Sequence, residues 1–133
     1  MAIKTDGVDL LLGDLEKLAK AAGGDLPDKM LDAGAETAEN NWREGIQTSG
    51  HIDTGEMLAS IGTVKGRSAK SLTRSIYPQG KDSKGVRNAT KAYILNYGTS
   101  KRKGDHFVDK LNRKSETDVY KVMVAVFDEE TKL

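Results

Sequence analysis

The run Ala92-Tyr93-Ile94-Leu95-Asn96-Tyr97-Gly98-Thr99-Ser100-Lys101-Arg102-Lys103-Gly104-Asp105-His106-Phe107 constrains the fold more than any other part of the chain. It carries an aromatic helical stripe into a glycine, crosses three adjacent cations and opens a new helix, so it encodes a corner with a charged edge. Val86, Ala89, Tyr93 and Tyr97 return at helical spacing, widened by Ala92, Ile94 and Leu95. That pattern predicts a short, well-buried helix with a left-handed stop at Gly98. Asp105 is placed to cap the helix that follows, in which Phe107, Val108, Leu111, Val119, Val122, Val126 and Phe127 share a stripe while Glu116, Asp118, Lys121, Asp128 and Glu129 face water. Tyr120 to Phe127 is also rich in strand formers. The three-four spacing of Val119, Val122, Met123 and Val126 favours a continuous helix, with a split near Lys114-Ser115 as the alternative.

Upstream, Val8, Leu11, Leu12, Leu15, Leu18 and Ala22 define one face of a first helix, ended by Gly23-Gly24. Pro27 presets the first turn of a second, from Pro27 to about Thr48, with Leu31, Ala35, Ala38, Trp42 and Ile46 on its contact face. The alanines let another helix approach closely, and Trp42 is a core anchor or, alternatively, an intersubunit contact. Ser49 to Thr54 reads as a loop, and Asp53 or Thr54 can cap a short turn carrying Met57, Leu58 and Ile61. From Ile61 to Tyr77 the period becomes two, around a turn at 66–70, which predicts a hairpin. Arg74 interrupts its apolar side and Pro78 withholds a ladder donor, so the second strand is expected at an edge or an intermolecular seam. Gln79 to Gly85 lacks periodic apolar residues and is expected to be a mobile surface loop. The fold class expected is α+β in one domain over 1–133: two N-terminal helices, a small antiparallel hairpin or sheet, a short helix and a long C-terminal helix.

A chain of 133 residues buries about two-thirds of its unfolded surface, enough for one modest core. With 21 basic and 20 acidic residues the formal net charge is +1, so any attraction to nucleic acid has to be local. Two local sources exist: Lys101, Arg102 and Lys103, and the hairpin residues Lys65, Arg67, Lys70 and Arg74. Either set can contact phosphates, meet an acidic neighbour or remain solvated. There is no cysteine, which excludes disulfides, thiolate metal sites and a cysteine nucleophile and fits assembly in a reducing cytosol. The apolar runs are too short to cross a bilayer, and Met1 to Asp6 lacks the apolar core of a signal peptide, so no membrane association is expected.

His51 and His106 have no helical partner at metal-ligand spacing, and no nucleophile elbow or phosphate loop occurs. Carboxylates such as Asp128-Glu129-Glu130 lie on an expected exposed helix end. No catalytic, cofactor-binding or metal-ligating residue is assigned, and no cofactor is expected.

The block Thr54-Gly55-Glu56-Met57-Leu58-Ala59-Ser60-Ile61, followed downstream by Tyr97-Gly98-Thr99 and by Phe107 opening the last helix, resembles the signatures of the neck or tail-completion proteins of long-tailed bacteriophages. In that family a Thr-Gly-x-Leu-x-x-Ser-Ile block precedes a Tyr-Gly-Thr block. The resemblance covers about half the chain, Asp53 to Lys110, and its structural positions here are Thr54, Gly55, Leu58, Ile61, Tyr97, Gly98, Thr99 and Phe107. Related chains often carry proline immediately before the phenylalanine; here His106 stands there. The resemblance implies a non-enzymatic homo-oligomeric ring in the virion neck, assembled in the host cytoplasm. Its implied partners are head-completion proteins and the tail terminator or tube, with DNA passing through the channel. The expected interface comprises Tyr77, Pro78, the loop bearing Lys81 and Lys84, and Lys101, Arg102 and Lys103, positioned by a buried frame of Trp42, Tyr93, Tyr97 and Phe107. The alternative is a small cytosolic nucleic-acid-binding protein using its basic loops.

Overall fold

In a computed structural model, which describes residues 18, 20, 23–67 and 72–132, the chain is α+β. The elements are α1 (Leu26–Ser49), α2 (Glu56–Ala59), β1 (Ile61–Arg67), β2 (Leu72–Pro78), α3 (Asn88–Tyr97), β3 (Gly98–Thr99), β4 (Arg102–Lys103) and α4 (Phe107–Thr131). The helix expected over Val8 to Ala22 lies outside the described residues, apart from positions 18 and 20, as does the turn at 68–71 of the first hairpin.

Helix α1 begins where Pro27 predisposes it to and ends at Gly50, whose φ of 75° lets its N–H and that of His51 reach back to Gln47 O and Ile46 O. It runs antiparallel to α4, with Lys29 beside Glu130, Asn41 beside Ser115, and Gly45 beside Leu111. Besides the buried Ala35 of the expected contact face, two glycines, Gly34 and Gly45, stand where α1 and α4 approach. A Cβ at Gly45 would sit 2.9 Å from Leu111 Cδ2, and one at Gly34 would sit 3.0 Å from Val119 Cγ1. Between these contacts buried Asn41 donates to Ser115 Oγ at 3.0 Å and to Asp118 Oδ2 at 3.1 Å, fixing the register by direction as well as shape. Helix α4 is unbroken through Lys114-Ser115.

The core joins Trp42 and Ile46 of α1 to Met57, Ile61, Ala92, Phe107 and Leu111. Trp42 meets the Phe107 ring edge-on, centroids 6.4 Å apart, so Trp42 is a core anchor. Strands β1 and β2 pair antiparallel, from Ile61 opposite Pro78 to Arg67 opposite Leu72, and pack on α1. Leu72, Arg74, Ile76 and Pro78 are the less exposed positions of β2, while Thr73, Ser75 and Tyr77 are exposed. The expected period is present, but Arg74 does not interrupt it. Its guanidinium turns inward and donates to Asp28 Oδ1 at 2.8 Å and Asp32 Oδ1 at 2.9 Å.

Three further expectations are corrected. Pro78 is fully buried, because it closes the hairpin against Ile61 in the core, and is therefore no surface contact. The Gln79 to Gly85 loop is closed around Asp82, which accepts from the N–H groups of Lys84 and Val86 and pairs with Lys91. Those bonds replace the apolar contacts whose absence suggested mobility, and Lys91 holds the Asp82 carboxyl below its usual range. Helix α3 is turned relative to its expected phase: Asn88, Ala92 and Asn96 are buried, while Tyr93 is 64% and Tyr97 56% exposed. The tyrosines are not part of the buried frame.

Candidate assembly surface

The corner foreseen between α3 and α4 is built on asparagine and glycine. Asn96, only 2% exposed, accepts the N–H of Val108 at 2.9 Å and of Asp109 at 3.2 Å through its side-chain oxygen, and donates to Asp109 Oδ2 at 3.3 Å. One helix thereby caps the next, satisfying donors that a helix start leaves without partners. Asp105 contributes as expected by accepting the Phe107 N–H at 3.1 Å. The residue immediately before α4 is His106, at φ 56° and ψ 35°. Proline is locked near −65° and cannot adopt that angle, so this loop differs in geometry from a Pro-Phe version.

Gly98 ends α3 with φ 88° and ψ −177°, a region almost confined to glycine and different from the left-handed stop expected there. A Cβ would lie 2.5 Å from both Arg102 O and Gly104 N, because β3 and β4 fold back at once, Gly98 opposite Lys103 and Thr99 opposite Arg102. The result is a two-residue turn, Ser100-Lys101, with Thr99 Oγ1 accepting the Lys101 N–H at 3.2 Å. Lys101, Arg102 and Lys103 are all exposed on this tip.

Beneath the corner His51 Nε2 lies 2.6 Å from Asp105 Oδ2 and its ring packs against Phe107, centroids 4.8 Å apart. Burial works to raise the pKa of the Asp105 carboxyl, but the Phe107 N–H and His51 outweigh it and the net direction is down. His106 Nδ1, 2.8 Å from Asp109, likewise lowers that carboxyl.

A cleft of about 370 Å³ is lined by the 50–58 segment, Asp82, Lys84, Lys91, Leu95 and Arg102, so the Thr54-Gly55 block faces Arg102 of the β3–β4 hairpin, while Tyr97, Gly98 and Thr99 are not part of its lining. Thr54 donates to Glu56 Oε2 at 2.9 Å and accepts the Glu56 N–H at 3.3 Å; Glu56 Oε1 in turn accepts the Ser83 N–H at 2.9 Å. Thr54 and Ser83 thus hold the Glu56 carboxyl low and tie the start of α2 to the Asp82 loop. Gly55, at φ 83°, precedes the turn. Counted from Thr54, the leucine of the family pattern falls on Met57; Met57 is buried and Leu58 half-buried.

Of the residues singled out in the sequence, Thr54, Gly55, Leu58, Lys84 and Arg102 therefore converge on the cleft, and Ile61 and Phe107 lie in the core. Tyr77 is exposed on β2, Lys81 bridges to Arg87 at the loop base, and Tyr97, Thr99, Lys101 and Lys103 lie on the outer side of the corner. Three cations of the hairpin's basic stretch share two carboxylates of α1, Lys65 3.7 Å from Asp32, Arg67 2.9 Å from Asp28 and Arg74 joining both, while Lys70 lies outside the described residues. Asn96, Asn88, Asp82 and the His51–Asp105 pair were not foreseen. The four-residue spacing Asn88-Ala92-Asn96 was the available signal, and polar identity argued against reading it as buried.

Among the described residues no group of three or more His, Asp or Glu is gathered as a metal cluster, and no helix is long and apolar enough to cross a membrane. No protein-family model matches the chain, and neither does any curated protein or solved structure.

Proposed function

We propose that this chain is a non-catalytic assembly subunit of a phage or prophage-derived neck, forming a homo-oligomeric ring that links head-completion proteins to the tail terminator or tube. The observation that carries the reading is that Arg102, paired with Thr99 in the hairpin that the Tyr97-Gly98-Thr99 block opens, reaches the cleft lined by Thr54 and Gly55, so the two segments in which the chain resembles neck and tail-completion proteins stand close together. The outward side of the corner supports it. A glycine-footed basic hairpin beside exposed tyrosines has the composition of a contact surface: aromatic area for burial, cations for orientation. In a ring every such contact repeats, so modest individual interfaces add up to a stable assembly.

The nucleic-acid-binding reading is weakened where Asp28 and Asp32 share Lys65, Arg67 and Arg74, which leaves the tip at Lys101, Arg102 and Lys103 as its stronger source among the described residues. In the neck reading that tip is available to DNA in the channel or to a protein neighbour. Labelling the chain in purified particles tests the proposal: density at the head–tail joint is the expected result, and particles that join heads to tails without it would overturn it.

A further inference from the structure

Helix α3 presents Tyr93, Ile94 and Tyr97 to solvent, with Val86 exposed just before the helix, and the Tyr93 and Tyr97 rings lie 4.8 Å apart with His106 continuing the ladder 6.0 Å beyond Tyr97. A helix that sends asparagines inward and leaves its aromatics outside has a surface whose apolar area is left uncovered by the other described residues. The cationic hairpin tip rises directly from the end of this stripe, because Gly98 follows Tyr97.

A second stripe left exposed among the described residues lies on α4. Tyr120, 70% exposed, and Val124 are one turn apart on the outer side of the helix. Glu116 stands one turn before Tyr120 and Asp128 one turn after Val124, both exposed; Arg113 lies a further turn back and Lys121 on the flank. At this end of α4 Glu130 is paired with Lys29 and Glu129 with Lys132, so Asp128 is the carboxylate that borders the stripe.

We infer that these two surfaces are the two halves of one heterologous contact: the Tyr93–Tyr97 stripe and Lys101–Lys103 tip of one copy dock on the Tyr120–Val124 stripe of α4 and its bordering Glu116 and Asp128 in the next. The inference rests on the ring reading above and says which sides of the subunit meet. Three observations select a second copy as the occupant. Both stripes are apolar, Lys101–Lys103 stand at the end of one while Glu116 and Asp128 stand at the two ends of the other, and they lie on different elements, so pairing one with the other leaves each copy a further half to offer and the chain can close into a ring. A nucleic acid on the tip would use the cations and tyrosines but would leave the acid-bordered Tyr120 stripe uncovered.

The lack of cysteine makes the test direct. Thr90 and Thr117 are exposed and adjoin the two stripes without belonging to the aromatic set. Mixing full-length Thr90→Cys with full-length Thr117→Cys under mild oxidation should give a disulfide-linked pair of the two variants, while neither alone cross-links with itself. Reversing the tip (Lys101→Glu, Arg102→Glu, Lys103→Glu) should raise the concentration at half-assembly at least about tenfold, and adding Glu116→Lys with Asp128→Lys should recover it. Circular dichroism matching the unmodified chain accompanies each variant, so loss of assembly is not loss of fold. Thr90→Cys linking to itself would show a two-fold pairing and overturn the inference. Rings that form normally after tip reversal, without the mixed disulfide, would overturn the assignment of surfaces and leave the ring standing. A chain that sediments as a monomer at all concentrations would overturn the ring and the inference with it, and so would salt-sensitive binding of a labelled oligonucleotide lost on tip reversal while assembly is unchanged.

Discussion

The inner and outer sides of α3 divide their chemistry against the usual preference of helices. Asn88 and Asn96 go inward and Tyr93 and Tyr97 stay out, so the inner side is held by directed bonds and the outer side retains apolar area. Directed bonds fix angles: Asn96 joins two backbone donors of α4 to α3, which sets how the long helix leaves the corner. Apolar area is tolerant of angle and serves contact. The difference teaches that α3 spends little of its aromatic surface on stability, and four changes measure this.

Phe107→Ala, which empties the ring position between Trp42 and His51, should cost about 3–5 kcal/mol in denaturant unfolding. A loss below about 1 kcal/mol would mean the core does not centre there. Asn96→Ala should cost about 2 kcal/mol, since two helix-start donors lose their acceptor in a buried place. Weakened amide protection confined to Val108 and Asp109 in hydrogen exchange would localise that loss. The Asp82 carboxyl, held below its ordinary value of 3.8 chiefly by Lys91, contributes stability that is full above that value. The contribution disappears as pH falls through the lower folded value. Asp82→Asn should therefore flatten the acid limb of the stability curve below about pH 4, and an unchanged limb would show the loop is held otherwise. Tyr93→Ser with Tyr97→Ser should change stability by less than about 0.5 kcal/mol while preventing assembly. A loss comparable to that of Asn96→Ala would erase the distinction between the two sides.

Element existence was legible because it rests on period: α1, the β1–β2 hairpin, α3 and α4 all fall where apolar spacing and glycine placed them. The phase of α3 was not, because Val86, Tyr93 and Tyr97 form as regular a stripe as Asn88, Ala92 and Asn96, and hydropathy prefers the first. What decides between them is the capping demand of α4, a tertiary fact. The same holds for Arg74, which looks like an intrusion in a strand until Asp28 and Asp32, a helical turn apart, are placed opposite it. Pro78 carried a correct local inference, a withheld donor at the end of a ladder, whose spatial consequence was burial. Of the candidate surface, the cationic tip and its glycine foot were readable, while the cleft joining Thr54 to Arg102 required the fold.

On the proposed assembly reading, the glycine foot bears on how neighbours can change over time. Side chains at 98 and 104 would collide with backbone: at 98 with Arg102 O and Gly104 N, at 104 with Asn96 O, whereas positions 100 to 103 project into solvent. Substitutions there alter sign and reach without disturbing the scaffold, so compatibility with a new mate can drift at four adjacent codons while the architecture beneath them stays put.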